Sequence, residues 1–182
     1  MQKEGMLVQV SIDAKIFRDF AIFDSFIRQK RWRPLAFFAC ILLGSAVLCF
    51  VMRSRAEQAV LLGSVLTVIG IGLPVVYLLS FLSSVKEQSK KMLLKTQRHA
   101  YTLLMSKAGG IEIKAGKEQL KYRWAEVFSV YRWHTYTYLY VAQQKAYLMP
   151  DQQVHGGADA LWTLLKDSVP AGKLFDLQRK RK

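Results

Sequence analysis

Apolar residues run nearly unbroken from Pro34 to Met52 and again from Ala59 to Leu82, with only Arg53-Ser-Arg-Ala-Glu-Gln58 between them. Each run is long enough to cross a bilayer core, which takes roughly 20 residues at about 1.5 Å of rise each. The pattern predicts a two-helix membrane hairpin over residues 34–82. No Asp, Glu, Lys, Arg or His lies between Leu35 and Met52 or between Val60 and Leu82. Ion and proton relays leave such residues at membrane depth, so a transporter acting alone is not expected. Small residues recur within the runs, at Ala36, Cys40 and Gly44 in the first and at Ala59, Gly63, Thr67 and Gly70 in the second. Such stripes let helix backbones approach closely, either inside the hairpin or between copies in a homo-oligomer. Gly70-Ile-Gly-Leu-Pro74 is expected to loosen or kink the second span.

Outside the runs the period changes. Leu7–Ile12 alternates like a short strand, and Asp13 is placed to cap a helix reaching about Lys30. Ile16, Phe17, Phe20, Phe23 and Ile27 share one side of that helix, which either lies along the membrane or packs on the C-terminal domain. Residues 1–33 thus read as a strand and an amphipathic helix, and residues 83–100 as a helical basic stalk. Short strands rich in Tyr, Trp, Val and Ile follow at Tyr101–Ser106, Ile111–Ala115, Leu120–Trp124, Val127–Trp133, Tyr136–Ala142 and Ala146–Met149. Turn signals stand at Ala108-Gly-Gly110 and Gly116-Lys117. A helix over Ala158–Asp167 comes before Pro170 and Gly172, and residues 171–182 form a basic tail. The fold class expected is a membrane α-helical hairpin plus an α+β domain over residues 101–170. That domain reads as a small antiparallel barrel or sandwich capped by its C-terminal helix, in a pleckstrin-homology-like outline.

Charge gives the hairpin a direction. Lys15, Arg18, Arg28, Lys30, Arg31 and Arg33 lead into the first run, and Lys86, Lys90, Lys91, Lys95 and Arg98 follow the second. The connecting loop has only Arg53 and Arg55, so both termini are expected in the cytoplasm. The net charge of +14 falls mostly after the hairpin, where residues 83–182 carry eighteen basic and eight acidic side chains. Beside membrane spans such an excess points to anionic lipid heads; nucleic-acid binding is the weaker reading of the same charge.

Trp124-Ala-Glu126-Val127, the Tyr-rich strand Tyr136–Tyr140 and Ala146-Tyr-Leu-Met-Pro150 before a C-terminal helix resemble the YcxB-like family. The resemblance implies a bacterial membrane protein with two spans and a C-terminal domain of this outline, in the inner membrane. It carries over no activity. Where the family tends to place a basic residue after the proline, this chain has Asp151-Gln152.

Candidate chemistry is sparse. His99, His134 and His155 are widely spaced, and Cys40 and Cys49 both lie in the first run on opposite helix faces, so no zinc site or disulfide is expected. Ala108-Gly-Gly-Ile lacks the Lys-Ser/Thr ending of a phosphate loop. No cofactor is expected, and catalysis by this chain alone has little support. Basic and aromatic residues interleave at Lys121-Tyr-Arg-Trp124 and Val130-Tyr-Arg-Trp-His134, a pattern that could stack bases. Strand alternation favours the other reading, with the aromatics in the core and the cations outside. The candidate contact residues are Lys121, Arg123, Arg132 and the tail Arg179, Lys180, Arg181 and Lys182. The function expected is a non-enzymatic membrane anchor for a domain that binds a protein partner or anionic lipid. The alternative is an accessory subunit of a membrane transporter or membrane enzyme.

Overall fold

A strand at the front of the chain pairs with one far behind it, and this sets the architecture. The computed structural model describes residues 5–52, 58–92 and 98–178. The chain divides into two units, Met1–Ile16 with Thr96–Lys182, and Phe17–Lys95.

In the first unit, β1 (Met6–Ile12) lies antiparallel to β2 (Arg98–Ser106), with Val8 opposite Leu103 and Val10 opposite Tyr101. Alternation turns Val8 and Val10 inward, both fully buried. The sheet continues through β3 (Gly110–Ala115) and β4 (Glu118–Tyr122) in the order β1-β2-β3-β4. Gly110 makes the β2–β3 turn at φ +76°, where an added Cβ would lie 2.5 Å from the Tyr122 carbonyl oxygen, so only glycine fits. The second sheet contains β5 (Ser129–Trp133), β6 (Tyr136–Ala142), β7 (Lys145–Pro150) and β8 (Leu174–Asp176), in the order β7-β6-β5-β8. β8 runs parallel to β5, so this sheet is mixed; its three residues carry no strand pattern. α4 (Ala158–Ser168) closes the core, with Leu161, Trp162 and Leu165 packed among Leu103, Ile111, Val130, Leu139 and Met149.

Two polar ties hold the sheets together. The Tyr101 hydroxyl donates to the Leu148 carbonyl (3.0 Å) and accepts from the Leu148 N–H (2.6 Å), joining β2 to β7 inside the core. Gln153 does the same at the rim. Its amide accepts from the Ser11 N–H (2.8 Å) and donates to the Ser11 carbonyl (3.0 Å), at the register shift after Val10. Val8 also bridges Val154, so β1 is held on both edges.

In the second unit, α2 (Trp32–Val51) and α3 (Gln58–Lys91) are long and apolar enough to cross a membrane, with mean hydropathy 2.5 and 2.4 in their best windows. Only 11% of each window is buried, so most of this apolar surface faces outward, unlike a soluble core helix. α3 runs unbroken through Pro74 to Lys91. Asp13 caps α1 (Ala14–Ile22) as expected, its Oδ1 accepting from the Ile16 N–H at 2.7 Å. A π-helical turn, Phe23–Arg28, follows, and Lys30 just beyond it has a φ of +52°. Phe26 on this turn packs edge-to-face against Tyr77 (6.4 Å) and Phe81 (5.0 Å) of α3. This contact seats the π-helical turn on α3.

The small-residue stripes divide. On α3, Gly63 and Gly70 are buried, and an added Cβ would meet Cys49 and Phe50 at the first, and Leu42 and Leu43 at the second. The helices are thus antiparallel, with the α3 stripe inside the hairpin. Thr67, half-buried, returns its hydroxyl to the Gly63 carbonyl (2.8 Å), and Ala59 is half-buried. On α2 the stripe lies off the hairpin seam. Cys40 and Gly44 face outward, with nothing within 4 Å of an added Cβ on Gly44, and Ala36 is half-buried. The buried α2 residues are Ala39 and Ala46. A four-residue stride drifts about 40° per step on a helix and leaves the interface, whereas a seven-residue stride drifts only about 20°. Gly63–Gly70 and Ala39–Ala46 both keep the seven-residue spacing.

A fragment of residues 98–182 lacks β1 and should expose the edge of β2; it is expected to aggregate. Joining residues 1–12 to it through a flexible linker should restore a cooperative unfolding transition, read by circular dichroism. Gly70→Leu should overpack the hairpin at a cost of about 1–3 kcal/mol, while Gly44→Leu stays near neutral. Thermal unfolding of the full chain in detergent separates the two.

Candidate functional site

The three cations of the domain expected to share a contact face do not share one. β4 turns Leu120 and Tyr122 inward and leaves Lys121 70% exposed on the outer face. Opposite it on β3 stands Glu112, 3.7 Å from the Lys121 ammonium and 3.8 Å from that of Lys114. Arg123 is 89% exposed, 3.7 Å from Glu126, and its N–H donates to the Glu126 carboxylate (2.9 Å) in a one-turn 3-10 helix. These exposed pairs contribute little energy, but they cancel much of the local charge. Arg179, Lys180, Arg181 and Lys182 lie outside the described residues.

Arg132 belongs elsewhere. It shares the inner face of β5 with Val130, at the core's edge, and is only 14% exposed. Its Nη2 contacts Asp159 Oδ1 at 2.7 Å, and its guanidinium sits 5.8 Å from the Trp162 ring centroid. The expectation of a free contact cation is corrected: strand period, the cue used for Lys121 and Arg123, turns Arg132 inward beneath α4. Asp151, immediately after β7, completes the group. Burial raises its carboxyl above the usual aspartate range; Arg132 pulls it down and Asp159 pushes it further up. Asp151 stands in the field of Arg132.

A second cluster joins the sheets at their other side. The Lys145 ammonium lies 3.3 Å from the Tyr122 hydroxyl and about 6 Å from the Tyr122 and Tyr147 ring centroids. The Tyr122 hydroxyl and the neighbouring Tyr147 raise the Lys145 pKa, and burial raises that of Tyr147. Tyr147 meets Tyr101 edge-to-face at 5.3 Å, and burial raises the Tyr101 hydroxyl far above the usual tyrosine range. Single-strand patterns left this cluster hidden, because its members come from three strands, β2, β4 and β7.

The Tyr-rich strand is not a stacking platform. Tyr138 and Tyr140 are fully buried and Tyr136 nearly so. Among the described residues no three His, Cys, Asp or Glu side chains gather as a metal site. The Gly156-Gly157 pair, with φ of +99° and +89°, turns the chain into α4.

A concavity lies in the second unit. A cavity of about 510 Å³ opens between α2 and α3, lined by Phe26, Trp32, Ala36, Cys40, Gly70 and Pro74 among others. Its walls are apolar, and small residues on both helices leave the space. The Gly70–Pro74 signal pointed to this place as a weak point in the span; the sequence did not reveal that Ala36 and Cys40 lie across from it.

Comparison with protein-family models, with curated proteins and with solved structures returns no match.

Asp151→Asn removes a carboxylate that burial disfavours. Folding takes up a proton at Asp151 as pH rises past the ordinary aspartate value, so its ionisation costs stability above that pH and nothing below it. The variant should melt higher than wild type at pH 7, with the gap closing at acidic pH. A gap independent of pH would contradict this assignment.

Proposed function

We propose that the chain is a non-enzymatic integral membrane protein of the bacterial inner membrane, in which a two-helix anchor holds a small pleckstrin-homology-like domain at the cytoplasmic face for a protein partner. The observation that carries the reading is the pairing of β1 with β2. The hairpin lies in the chain between these two strands, so a sheet that holds both needs the two flanks on one side of the bilayer. The basic residues on both flanks favour the cytoplasmic side. The order β1-β2-β3-β4 and β7-β6-β5, closed by α4, supports the pleckstrin-homology-like outline and agrees with the layout of the YcxB-like family.

A protein partner is preferred to lipid heads for the sheet face. Glu112 and Glu126 stand against Lys121 and Arg123, and a mixed surface of this kind suits a partner with its own pattern of charges. The absence of charged residues from the apolar runs argues for an anchor over an ion pathway. The second reading, an accessory subunit of a membrane transporter or enzyme, draws on the outward-facing Cys40 and Gly44 of α2. These are free of the hairpin seam and would let another span approach closely.

Topology is tested with single cysteines at positions 5, 55 and 178, in a chain with Cys40 and Cys49 replaced by Ser. An impermeant maleimide should label position 55 in intact cells, and positions 5 and 178 only after the membrane is opened. Labelling of 5 and 178 on opposite sides would refute the reading. A native-gel complex lost on Lys121→Glu with Arg123→Glu supports the domain as the docking element; loss on Gly44→Leu alone supports the subunit reading.

A further inference from the structure

We propose that the cavity between α2 and α3 is a binding site for one anionic phospholipid of the cytoplasmic leaflet. An acyl chain would fill the groove, and the headgroup would be held by Lys30, Arg31 and Arg33. The proposal rests on the reading of α2 and α3 as membrane spans.

Three observations converge. At about 510 Å³ the groove lies within the range of small-molecule sites, about 300–1,000 Å³, and its lining is apolar from Leu35 to Leu43 and from Gly70 to Leu78. An apolar groove facing the bilayer takes a lipid chain without a desolvation cost. Second, the groove has a defined end. Phe26 and Trp32 line it there, with Phe26 pinned on Tyr77 and Phe81. Tryptophan at such a place suits the level where chains give way to headgroups.

Third, that end is cationic without internal compensation. Lys30, Arg31, Trp32 and Arg33 are all exposed, and among the described residues none of the three cations has an ion-pair partner. The nearest acid in sequence, Asp24, is already held by Arg28 at 2.6 Å and by the Gln29 amide. The Arg31 Nε donates to the Gln29 side-chain oxygen (2.7 Å), which steadies the guanidinium beside Trp32. The left-handed Lys30 makes the turn, with the Arg31 N–H on the Ser25 carbonyl (3.0 Å) and the Arg33 N–H on the Lys30 carbonyl (3.0 Å). Lys30 and Arg31 thus sit on the turn and Arg33 in the first turn of α2, flanking Trp32, which lines the groove. A phosphodiester with an added negative charge or hydroxyl-rich head complements them; a zwitterionic head brings a cation of its own.

The test uses the full chain in vesicles containing phosphatidylcholine and phosphatidylglycerol, with bromine on the acyl chains of one lipid or the other. Trp32 emission is taken as the difference between wild type and Trp32→Phe. At equal mole fraction, brominated phosphatidylglycerol should quench Trp32 more strongly, with a preference of about fivefold or more for a headgroup engaging at least one cation. Lys30→Gln with Arg31→Gln and Arg33→Gln should abolish the preference, and these exposed changes leave the helix seam intact. Cys40→Phe, which fills the groove from an outward position, should reduce quenching by both lipids. Equal quenching by the two lipids in wild type overturns the lipid site and leaves the spans standing. No quenching by either in a monomeric chain overturns the membrane-span reading, and the site with it. A stable dimer whose Trp32 is shielded from both lipids assigns the groove to a second copy and overturns the proposal.

Discussion

The antiparallel pairing of β1 with β2 is the constraint on which the other features depend. It joins residues on either side of the helical hairpin into one sheet, so the domain is assembled from two distant pieces of chain. Val8 and Val10 supply core surface that residues 98–178 cannot supply themselves, and Gln153 seals the bulge after Val10 with a pair of hydrogen bonds. Closing so long a loop has an entropic cost, but that cost grows only slowly with length. A self-associating helix pair inside the loop shortens its effective span further. The hairpin is an insertion between two strands of the domain, and both its ends return to one sheet.

The hairpin has its own logic. Glycines on α3 meet Leu42, Leu43, Cys49 and Phe50 on α2, and this close approach is the contact available where apolar burial offers no net gain between helices. The same economy of side-chain volume leaves the groove near Pro74. The seam and the cavity therefore have one origin: where a large residue opposes a small one the helices close, and where small residues oppose each other they leave space.

Charge is distributed by place in the fold, and its total of +14 conceals this. On the sheet face, carboxylates stand beside Lys121 and Arg123. Beneath α4, Arg132 is held by Asp159 and lies over Trp162. Around the start of α2, Lys30, Arg31 and Arg33 face outward, with no ion-pair partner among the described residues. A summed charge predicts a basic surface near lipid; the structure locates an uncompensated part of it at the start of α2.

Much of the local structure was legible in the sequence, because its determinants lie within a few residues of each other. Unbroken apolar runs marked α2 and α3, alternation marked six of the strands after the hairpin, and Asp13 marked the start of α1. Lys121 and Arg123 were read as outward cations from the same alternation. What needed the tertiary structure was every choice of partner. Alternation marks β1 as a strand but does not name β2 as its neighbour. The four-residue stripe on α2 is present in the sequence, yet the interface follows a seven-residue spacing set by the facing helix. Arg132 looks like Arg123 in its aromatic setting, but it lies beneath α4 and is held by Asp159, whereas Arg123 stays exposed beside Glu126. β8 has no pattern at all and exists because β5 offers an open edge. Periodicity is a property of the chain alone, whereas contact between distant residues depends on which surfaces the whole fold brings together.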